Sequence, residues 1–420
     1  MACLMKVPLA SIFVGVFVSV GSGQGKGAIS EGDNAEQFAL LCRIYNVAKN
    51  PPINHVDLTD PYKIVNEMDS INASFAEEKQ FNETEHVGNG TDAQLSHTTT
   101  LEAAAAQANI MRITQKAHNV LEDIRKLNAT RDIENVKAEL AHVIFGDGGN
   151  ETDLGHGALK GVSGRGKACG DTGLSRKGER AGKNLVVDFF CLCAQNTEKN
   201  SGIDNVCGFF VGRKSTKFDK HGWDESGLLG SSAMWASIKK GCGKLMQQHP
   251  KSTAEVHDIL EDFLKHLKSG GVYRNNKKEN SYRIVGMLGT SVLSEDSRGG
   301  IDPVCDGRKG GKTGSPGGMC VFYGQEAEWQ NIPWMMKLKT ALSMVNALNN
   351  KTATIQRDIE KLQTLLHRAE KIYETAKVIS EVQNPVLPTN LQTAAKRLTA
   401  YSAARRHHPH THFMILFVLL

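Results

Sequence analysis

The chain has 420 residues, of which 40% are hydrophobic and 23% charged, proportions that exclude a wholly disordered class. Its 50 basic and 45 acidic residues give a formal net charge of only +5, which offers no support for nucleic-acid binding. Only 6% of the residues are aromatic whereas 41 are glycine, a balance that favours long helices combined with large irregular loops.

The N-terminus has the layout of a secretion signal. One lysine, Lys6, precedes an apolar run from Val7 to Val20, and small residues follow where a signal peptidase could cut. We predict a signal peptide over residues 1–22. The alternative is a buried helix or a membrane anchor, but about 14 apolar residues fall short of the roughly 20 that span a bilayer.

Signal cleavage would remove Cys3 and leave an even number of cysteines, which in an exported chain favours disulfides. The sequence does not choose among the roughly 105 possible pairings. If Cys191 and Cys193 lie in an extended run, their side chains point to opposite faces, so we expect them to bond to different partners. A zinc site is not favoured because paired CxxC knuckles are absent. The disulfide candidates are Cys42, Cys169, Cys191, Cys193, Cys207, Cys242, Cys305 and Cys320.

Asn-x-Ser/Thr sequons occur along the chain, and the first three lie in a polar stretch that we interpret as a surface loop. Chance occurrence in a chain rich in Asn and Thr is the alternative. The N-glycosylation candidates are Asn72, Asn82, Asn89, Asn128, Asn150 and Asn350.

Two helices are predicted before the middle of the chain. The first runs from Ala35 to Ala48 and is stopped by Asn50, Pro51 and Pro52. The second covers about residues 98–145, and its apolar stripe slips register twice, which we expect to bend the helix without ending it. The stripe consists of Leu101, Ala104, Ala108, Met111, Ile113, Ala117, Val120, Ile124, Leu127, Ile133, Val136, Leu140 and Val143.

Residues 146–325 contain the remaining cysteines and most of the glycines. We predict a loop-rich head stapled by disulfides, with one helix over 253–267 and short strands over 185–192 and 282–288.

Chemical motifs in this region are weak. Two segments, 161–168 and 306–313, resemble phosphate-binding loops, but the first lacks the Ser/Thr that would hold magnesium and the second has Asp306 in place of the first glycine. We interpret both as exposed loops. The histidines are scattered, so the sequence predicts no catalytic residue, no cofactor and no metal site. The hypothesis that the chain is an exported enzyme has no support other than the residues of the head to which no role is assigned.

The most regular pattern lies near the C-terminus, where apolar residues alternate at steps of four and three over six heptads. Only Thr352 interrupts this seam, and a long helix over about 334–380 is predicted, stopped by Pro385 and Pro388. Antiparallel pairing with the helix at 98–145 would bury both stripes, although two ordinary bundle helices are the alternative. We therefore predict a mainly α fold, an elongated antiparallel coiled-coil or helical-bundle rod that carries the head. The seam consists of Trp334, Leu338, Ala341, Val345, Leu348, Thr352, Ile355, Ile359, Leu362, Leu366, Ala369, Tyr373 and Ala376.

The C-terminus has the layout of a glycosylphosphatidylinositol (GPI) attachment signal. Small residues at 402–404 precede a polar, histidine-rich spacer and an apolar tail, Phe413 to Leu420. Ser402 is the candidate acceptor, although the tail is shorter than the usual 10 or so apolar residues.

The segment Phe38 to Lys49 resembles the start of the mature N-terminal domain of variant surface glycoproteins of African trypanosomes. Further similarity lies in Lys79 to Thr84, in the Gly- and Cys-rich run from Ile301 to Tyr323, and in the long final helix. The resemblance covers most of the mature chain, and its motifs are structural.

This resemblance implies a domain over residues 23–385, a short stalk over 386–402 and a GPI-attachment signal over 403–420. It also implies a homodimer held by a GPI anchor on the outer leaflet of the plasma membrane, a coat that evades host antibodies by antigenic variation. The commonest members carry a separate cysteine-rich domain after the final helix, which we do not expect in this chain. A surface receptor for a host serum ligand, built on the same scaffold, is the alternative.

Overall fold

A computed structural model describes residues 28–84, 93–127, 129–198, 201–213, 220–245, 249–274, 281–293, 303–310 and 316–383. The described chain is mainly helical, as predicted, with a smaller content of strand. The helices are α1 (Ala35–Lys49), α2 (Asp60–Thr84), α3 (Ala93–Lys126), α4 (Ala129–Phe145), α5 (Arg165–Cys169), α6 (Leu185–Cys193), α7 (Ser231–Leu245), α8 (Thr253–Ser269), α9 (Glu326–Trp329) and α10 (Pro333–Gln383).

The chain divides into two compact units. Unit 1 comprises residues 1–55 and 128–352, and unit 2 comprises residues 56–127 and 353–420. The long helix α10 contributes its first part to unit 1 and its remainder to unit 2.

At the centre of unit 1 lies α6, all nine residues of which are buried. A strand was predicted at 185–192, and that prediction is wrong. A short apolar run fits a buried helix as well as a strand, and here the Asn184 side chain accepts a hydrogen bond from Val187 N at 3.0 Å, which caps a helix. Helices α1, α4 and α7 and the strand β6 (Gly317–Phe322) pack around α6.

Unit 1 also contains a hairpin of two short strands and a four-stranded sheet. The hairpin consists of β1 (Gly222–Trp223) and β2 (Leu228–Leu229). The sheet has the order β4-β3-β5-β6, where β3 is Gly271–Arg274, β4 is Ser281–Ile284 and β5 is Met287–Val292. Strands β3 and β5 are parallel, whereas the β3–β4 and β5–β6 pairs are antiparallel. The predicted strand at 282–288 is in fact two strands joined at Gly286, where φ is +82° and a Cβ would meet Gly324 O at 2.1 Å.

The predicted helix at 98–145 is two helices, α3 and α4, and they belong to different units. The helical conformation is interrupted at the second register slip, since α3 ends at Lys126 and α4 begins at Ala129. Arg125 and Lys126 in the last turn of α3, and Asp132 in the first turn of α4, complement the dipoles of two separate helices. The slip therefore ends a helix instead of bending it.

Unit 2 contains α2, α3 and the second part of α10, and α2 packs against α3. Helix α2 occupies much of the polar stretch that was interpreted as a surface loop, so that interpretation is wrong for residues 60–84. The predicted stripe of α3 is buried only in its second half, at Ile113, Ala117, Val120 and Ile124. Its first half, Leu101, Ala104, Ala108 and Met111, is exposed.

The predicted seam of α10 is buried from Trp334 to Leu362 and again at Ala369. Thr352, its only polar member in this stretch, is also buried, with 5% of its surface exposed. Leu366, Tyr373 and Ala376 are half-buried. The predicted helices at 35–48, 253–267 and 334–380 are confirmed as α1, α8 and α10, whereas the elongated coiled-coil rod stays a prediction.

Candidate functional site

All eight predicted cysteines of the mature chain are paired, and all four disulfides lie in unit 1. Cys191 and Cys193 have different partners, as expected, although they lie on a helix and not on a strand. Residues two apart on a helix point about 200° apart, which separates the two sulfurs as well as a strand would. The pairs are Cys42–Cys242, Cys169–Cys191, Cys193–Cys207 and Cys305–Cys320.

Arg165 is a fully buried cation at the C-terminal end of α6. Its Nη1 donates to Ala194 O and Trp223 O, and its Nη2 donates to Phe190 O and Cys191 O. The carbonyls at a helix C-terminus lack partners within the helix and carry partial negative charge, so a guanidinium stabilises this end of α6. Burial lowers the pKa of Arg165 to about 10, although nearby carboxylates oppose the shift.

The two segments that resemble phosphate loops surround this arginine. Arg165 belongs to the first segment, and a Cβ on Gly307 of the second would lie 2.4 Å from its Nη1. Gly166 N donates to Glu225 Oε1 at 2.6 Å. The prediction that both segments are exposed loops is wrong at these positions, because their glycines allow the backbone to close around a buried side chain.

Asp188 is a second buried charge, in the middle of α6. Its Oδ1 accepts a hydrogen bond from Gly182 N, and its Oδ2 accepts from Tyr323 Oη and Trp334 Nε1, all at 2.8 Å. Burial raises the pKa of Asp188 to about 6, with the three hydrogen bonds and Lys177 acting in the opposite direction. The carboxylate joins α6 to the end of the sheet and to the first turn of α10.

Neither Arg165 nor Asp188 was predicted from the sequence. For Asp188 a signal existed: a single acidic residue within the apolar run Leu185–Cys193 must find hydrogen-bond donors wherever that run is buried. For Arg165 the local sequence, rich in glycine and charge, is the same as that of an exposed loop, so no local signal existed.

The histidines remain scattered among the described residues. His118 Nε2 lies 2.9 Å from Asp69 Oδ1, and His142 Nδ1 lies 3.7 Å from Glu139 Oε2. No group of three or more metal-binding side chains occurs in the described part of the chain.

Three of the six sequons can be located. Asn72 is half-buried on α2, while Asn150 and Asn350 are exposed. Asn150 Oδ1 accepts hydrogen bonds from Thr152 N and Thr152 Oγ1, at 3.0 and 2.7 Å.

The remaining modification and targeting predictions fall outside the described residues. They are Asn89, Asn128, the side chain of Asn82, the signal peptide over 1–22, the stalk, Ser402 and the tail. Within the ranges that the structure describes, every helix is too short or too polar to cross a membrane.

The sequence is similar to a protein-family model and to a curated protein. The family model described as trypanosomal VSG domain matches residues 16–101 and 85–364. Variant surface glycoprotein YnAT 1.3 of Trypanosoma congolense is 26% identical over 245 residues, which cover 57% of this chain and 52% of that protein. The chain thus spans about half the length of this curated relative. Because the family model matches most of the chain, this protein belongs to the trypanosomal variant surface glycoprotein domain family.

Proposed function

We propose that this protein is a surface coat glycoprotein, held by a GPI anchor and exchanged among related genes to evade host immunity. The family match over most of the chain carries the proposal. The four disulfides support it, because such bonds persist in secreted and cell-surface proteins. It is proposed as a structural protein and not as an enzyme.

The physical basis of antigenic variation is a scaffold that tolerates changes in its exposed loops. In unit 1, disulfides and the hydrogen bonds of Arg165 and Asp188 hold the backbone from within. Loops at the surface then contribute little to stability, and substitutions there cost less than about 0.5 kcal/mol each. Antibodies of the host would bind these exposed loops.

The anchor is tested by treating intact cells that express the protein with a GPI-specific phospholipase C. Release of the protein into the medium, together with a glycolipid on the C-terminal peptide at Ser402, is the expected result. A protein that stays on the membrane after treatment would show that the anchor proposal is wrong.

The number of copies of the protein on the same cells distinguishes a coat from a receptor. A coat protein must be the most abundant protein on the cell surface. A sparse protein that retained a serum ligand on an affinity column would favour the receptor alternative.

The rod and the homodimer are part of the same proposal, and exposed apolar residues on α3 support self-association. Leu101 and Met111 are 70% and 57% exposed, and Ala104, Ala105 and Ala108 lie on the same exposed face. Small residues on a helix allow a second helix to approach closely, and the covered area would be apolar.

Sedimentation of the secreted chain tests this surface. We expect a dimer for the natural sequence and a monomer for the double variant Leu101→Glu and Met111→Glu, because association would bury two charges. Gln356→Glu is the control, since Gln356 is exposed on α10 and lies outside this face of α3. A natural chain that sediments as a monomer would refute the homodimer.

Glycans are expected at the exposed sequons Asn150 and Asn350. Mass spectrometry of the intact secreted chain, before and after enzymatic removal of N-glycans, reports their number. Peptide mapping assigns each position. Unmodified asparagine at both positions would contradict the expectation.

A further inference from the structure

Positive charge is concentrated in residues 160–183 of unit 1. This segment contains seven basic and two acidic residues, so its net charge of +5 is as large as that of the whole chain. Arg165 is buried among backbone carbonyls, whereas the other six cations lie wholly or partly at the surface. We call these six side chains the basic surface: Lys160, Lys167, Arg176, Lys177, Arg180 and Lys183.

Backbone hydrogen bonds bring two parts of this segment together. Glu179 N donates to Lys167 O at 3.0 Å. The next residue, Arg180, donates its backbone N–H to Ala168 O, also at 3.0 Å. Lys183 N then donates to Arg180 O at 3.1 Å, which closes a turn. Lys167, Arg180 and Lys183 are therefore neighbours in the folded chain.

The side chain of Arg180 attaches a third part of the segment, next to Lys160. Its Nη2 donates to Gly161 O at 2.7 Å. A Cβ on Gly161 would lie 2.7 Å from that same nitrogen, so the absence of a side chain lets the guanidinium lie against the backbone. Arg180 keeps further N–H groups for a ligand, because a guanidinium has five donors.

The chain itself neutralises little of this charge. Lys167 forms an ion pair with Glu179, with 3.3 Å between Nζ and Oε1. The other five cations of the basic surface have no carboxylate within ion-pair distance among the described residues. An external anion can therefore contact these five cations without breaking an ion pair of the chain.

Two lysines repel each other within the basic surface. Burial lowers the pKa of Lys177, and repulsion from Lys183 adds to this shift. Attraction by Asp188 and Glu328 opposes it. An anion that contacts both lysines relieves the repulsion, so the surface favours a negatively charged partner.

Three further carboxylates of the described chain adjoin the basic surface, and each accepts a hydrogen bond from a backbone N–H. The acceptors are Asp171 Oδ1 at 2.8 Å, Glu225 Oε1 at 2.6 Å and Glu328 Oε2 at 2.9 Å. When these three and Glu179 are counted against the six cations, the surface keeps an excess of positive charge.

The composition of the segment favours a polysaccharide over a nucleic acid. Residues 160–183 contain no Phe, Tyr or Trp, whereas proteins that bind single-stranded nucleic acids stack the bases on aromatic side chains. Sulfate groups need only N–H donors and positive charge, which lysine and arginine supply. Cys169, inside the segment, forms a disulfide, which indicates an extracellular environment, where sulfated polysaccharides occur.

We propose that the basic surface binds a sulfated polysaccharide of the glycosaminoglycan class. Cations on three adjoining parts of the chain contact successive sulfate groups of the polymer. This binding is separate from the coat role, so failure of either proposal leaves the other standing.

Titration of the secreted full-length chain with a heparin decasaccharide, followed by calorimetry at about 0.15 M salt, tests the surface. A hyaluronan decasaccharide supplies carboxylates without sulfates. A single-stranded DNA oligonucleotide of the same total charge as the heparin supplies phosphates and bases. We expect heparin to bind at least about tenfold more tightly than either. Its affinity should fall at least about tenfold at about 0.5 M salt, because salt screens exposed charges.

A pair of charge reversals locates the binding. Arg176→Glu combined with Lys183→Glu, both at exposed positions, should weaken heparin binding at least about tenfold. Lys49→Glu combined with Lys251→Glu is the matched control, because it changes the net charge equally at exposed positions elsewhere in unit 1. The control should weaken heparin binding less than about twofold. If the charge reversal is not secreted, Arg176→Ala combined with Lys183→Ala replaces it, with an expected loss of about threefold or more.

Four outcomes would overturn the proposal. They are no saturation by heparin up to about 100 µM; hyaluronan or DNA binding as tightly as heparin; unchanged affinity in the double variant of Arg176 and Lys183; and an equal loss in the control, which would show that only net charge matters.

Discussion

The two units differ in what holds them together. All four disulfides lie in unit 1, and so do the buried charges of Arg165 and Asp188. In the described part of unit 2 the buried side chains are apolar apart from Thr114. Unit 2 therefore depends on periodic burial of helix faces, while unit 1 adds crosslinks and specific polar contacts between segments distant in sequence.

Removing the longest crosslink should give the largest effect. Cys42–Cys242 has a sequence separation of 200, whereas Cys193–Cys207 has a separation of 14. From loop-closure entropy, replacing both cysteines of the first pair by alanine costs about 5 kcal/mol of unfolding free energy, and replacing those of the second costs about 3 kcal/mol. Denaturant unfolding of both double variants measures the difference, and equal losses would show that strain or residual unfolded structure dominates.

The buried carboxylate of unit 1 gives the next largest effect. Asp188→Ala leaves Gly182 N, Tyr323 Oη and Trp334 Nε1 without an acceptor, and we expect a loss of about 3–5 kcal/mol of unfolding free energy. Asp258→Ala, at an exposed position of α8, is the control and should change it by less than about 0.5 kcal/mol. A loss below about 1 kcal/mol in Asp188→Ala would mean that water or a rearrangement satisfies the three donors.

In unit 2 the corresponding test is a leucine of the α10 seam. Leu362 is fully buried, so Leu362→Ala should cost about 3 kcal/mol through lost burial and a cavity. Leu101 is 70% exposed, and Leu101→Ala should cost less than about 0.5 kcal/mol in the monomer. Thermal unfolding of the two variants compares a buried seam with an exposed stripe. A similar loss of unfolding free energy in both variants would show that Leu101 is packed against other residues and is not exposed in the monomer.

The smallest expected effect is a pH dependence from Asp188. Burial raises the pKa of Asp188 from its ordinary value of 3.8 to about 6 in the folded protein, so between these two pH values the native state holds a proton that the unfolded chain has lost. Its contribution to stability is therefore fully present below about pH 4 and is lost as pH rises through about 6, with a total of at most about 3 kcal/mol. Unfolding free energies of the natural chain and of Asp188→Asn, measured from pH 7 to pH 4, isolate this contribution. A difference between them that does not vary with pH would contradict the shift.

The contrast between the units explains how far the sequence predicts the fold. The seam from Trp334 to Leu362 was predicted position by position, because a heptad pattern encodes burial locally. The strand predicted at 185–192 is helix α6, because a fully buried run carries no periodicity that distinguishes the two. The cysteines were identified but their pairing was not, since pairing depends on contacts between residues far apart in sequence.

The exposed first half of the α3 stripe shows a different limit. An apolar stripe predicts that a surface is covered, but the pattern does not state by which chain. Leu101 and Met111 are exposed within the chain, and our proposal is that a second copy covers them.

Amide hydrogen exchange of the full chain, measured by mass spectrometry with and without a reducing agent, tests the division between the units most directly. Reduction should remove protection from α6 and β6 and leave it at residues 110–124 of α3 and 355–369 of α10. Equal loss of protection in both units, or none in α6, would contradict the claim that crosslinks hold one unit and periodic burial the other.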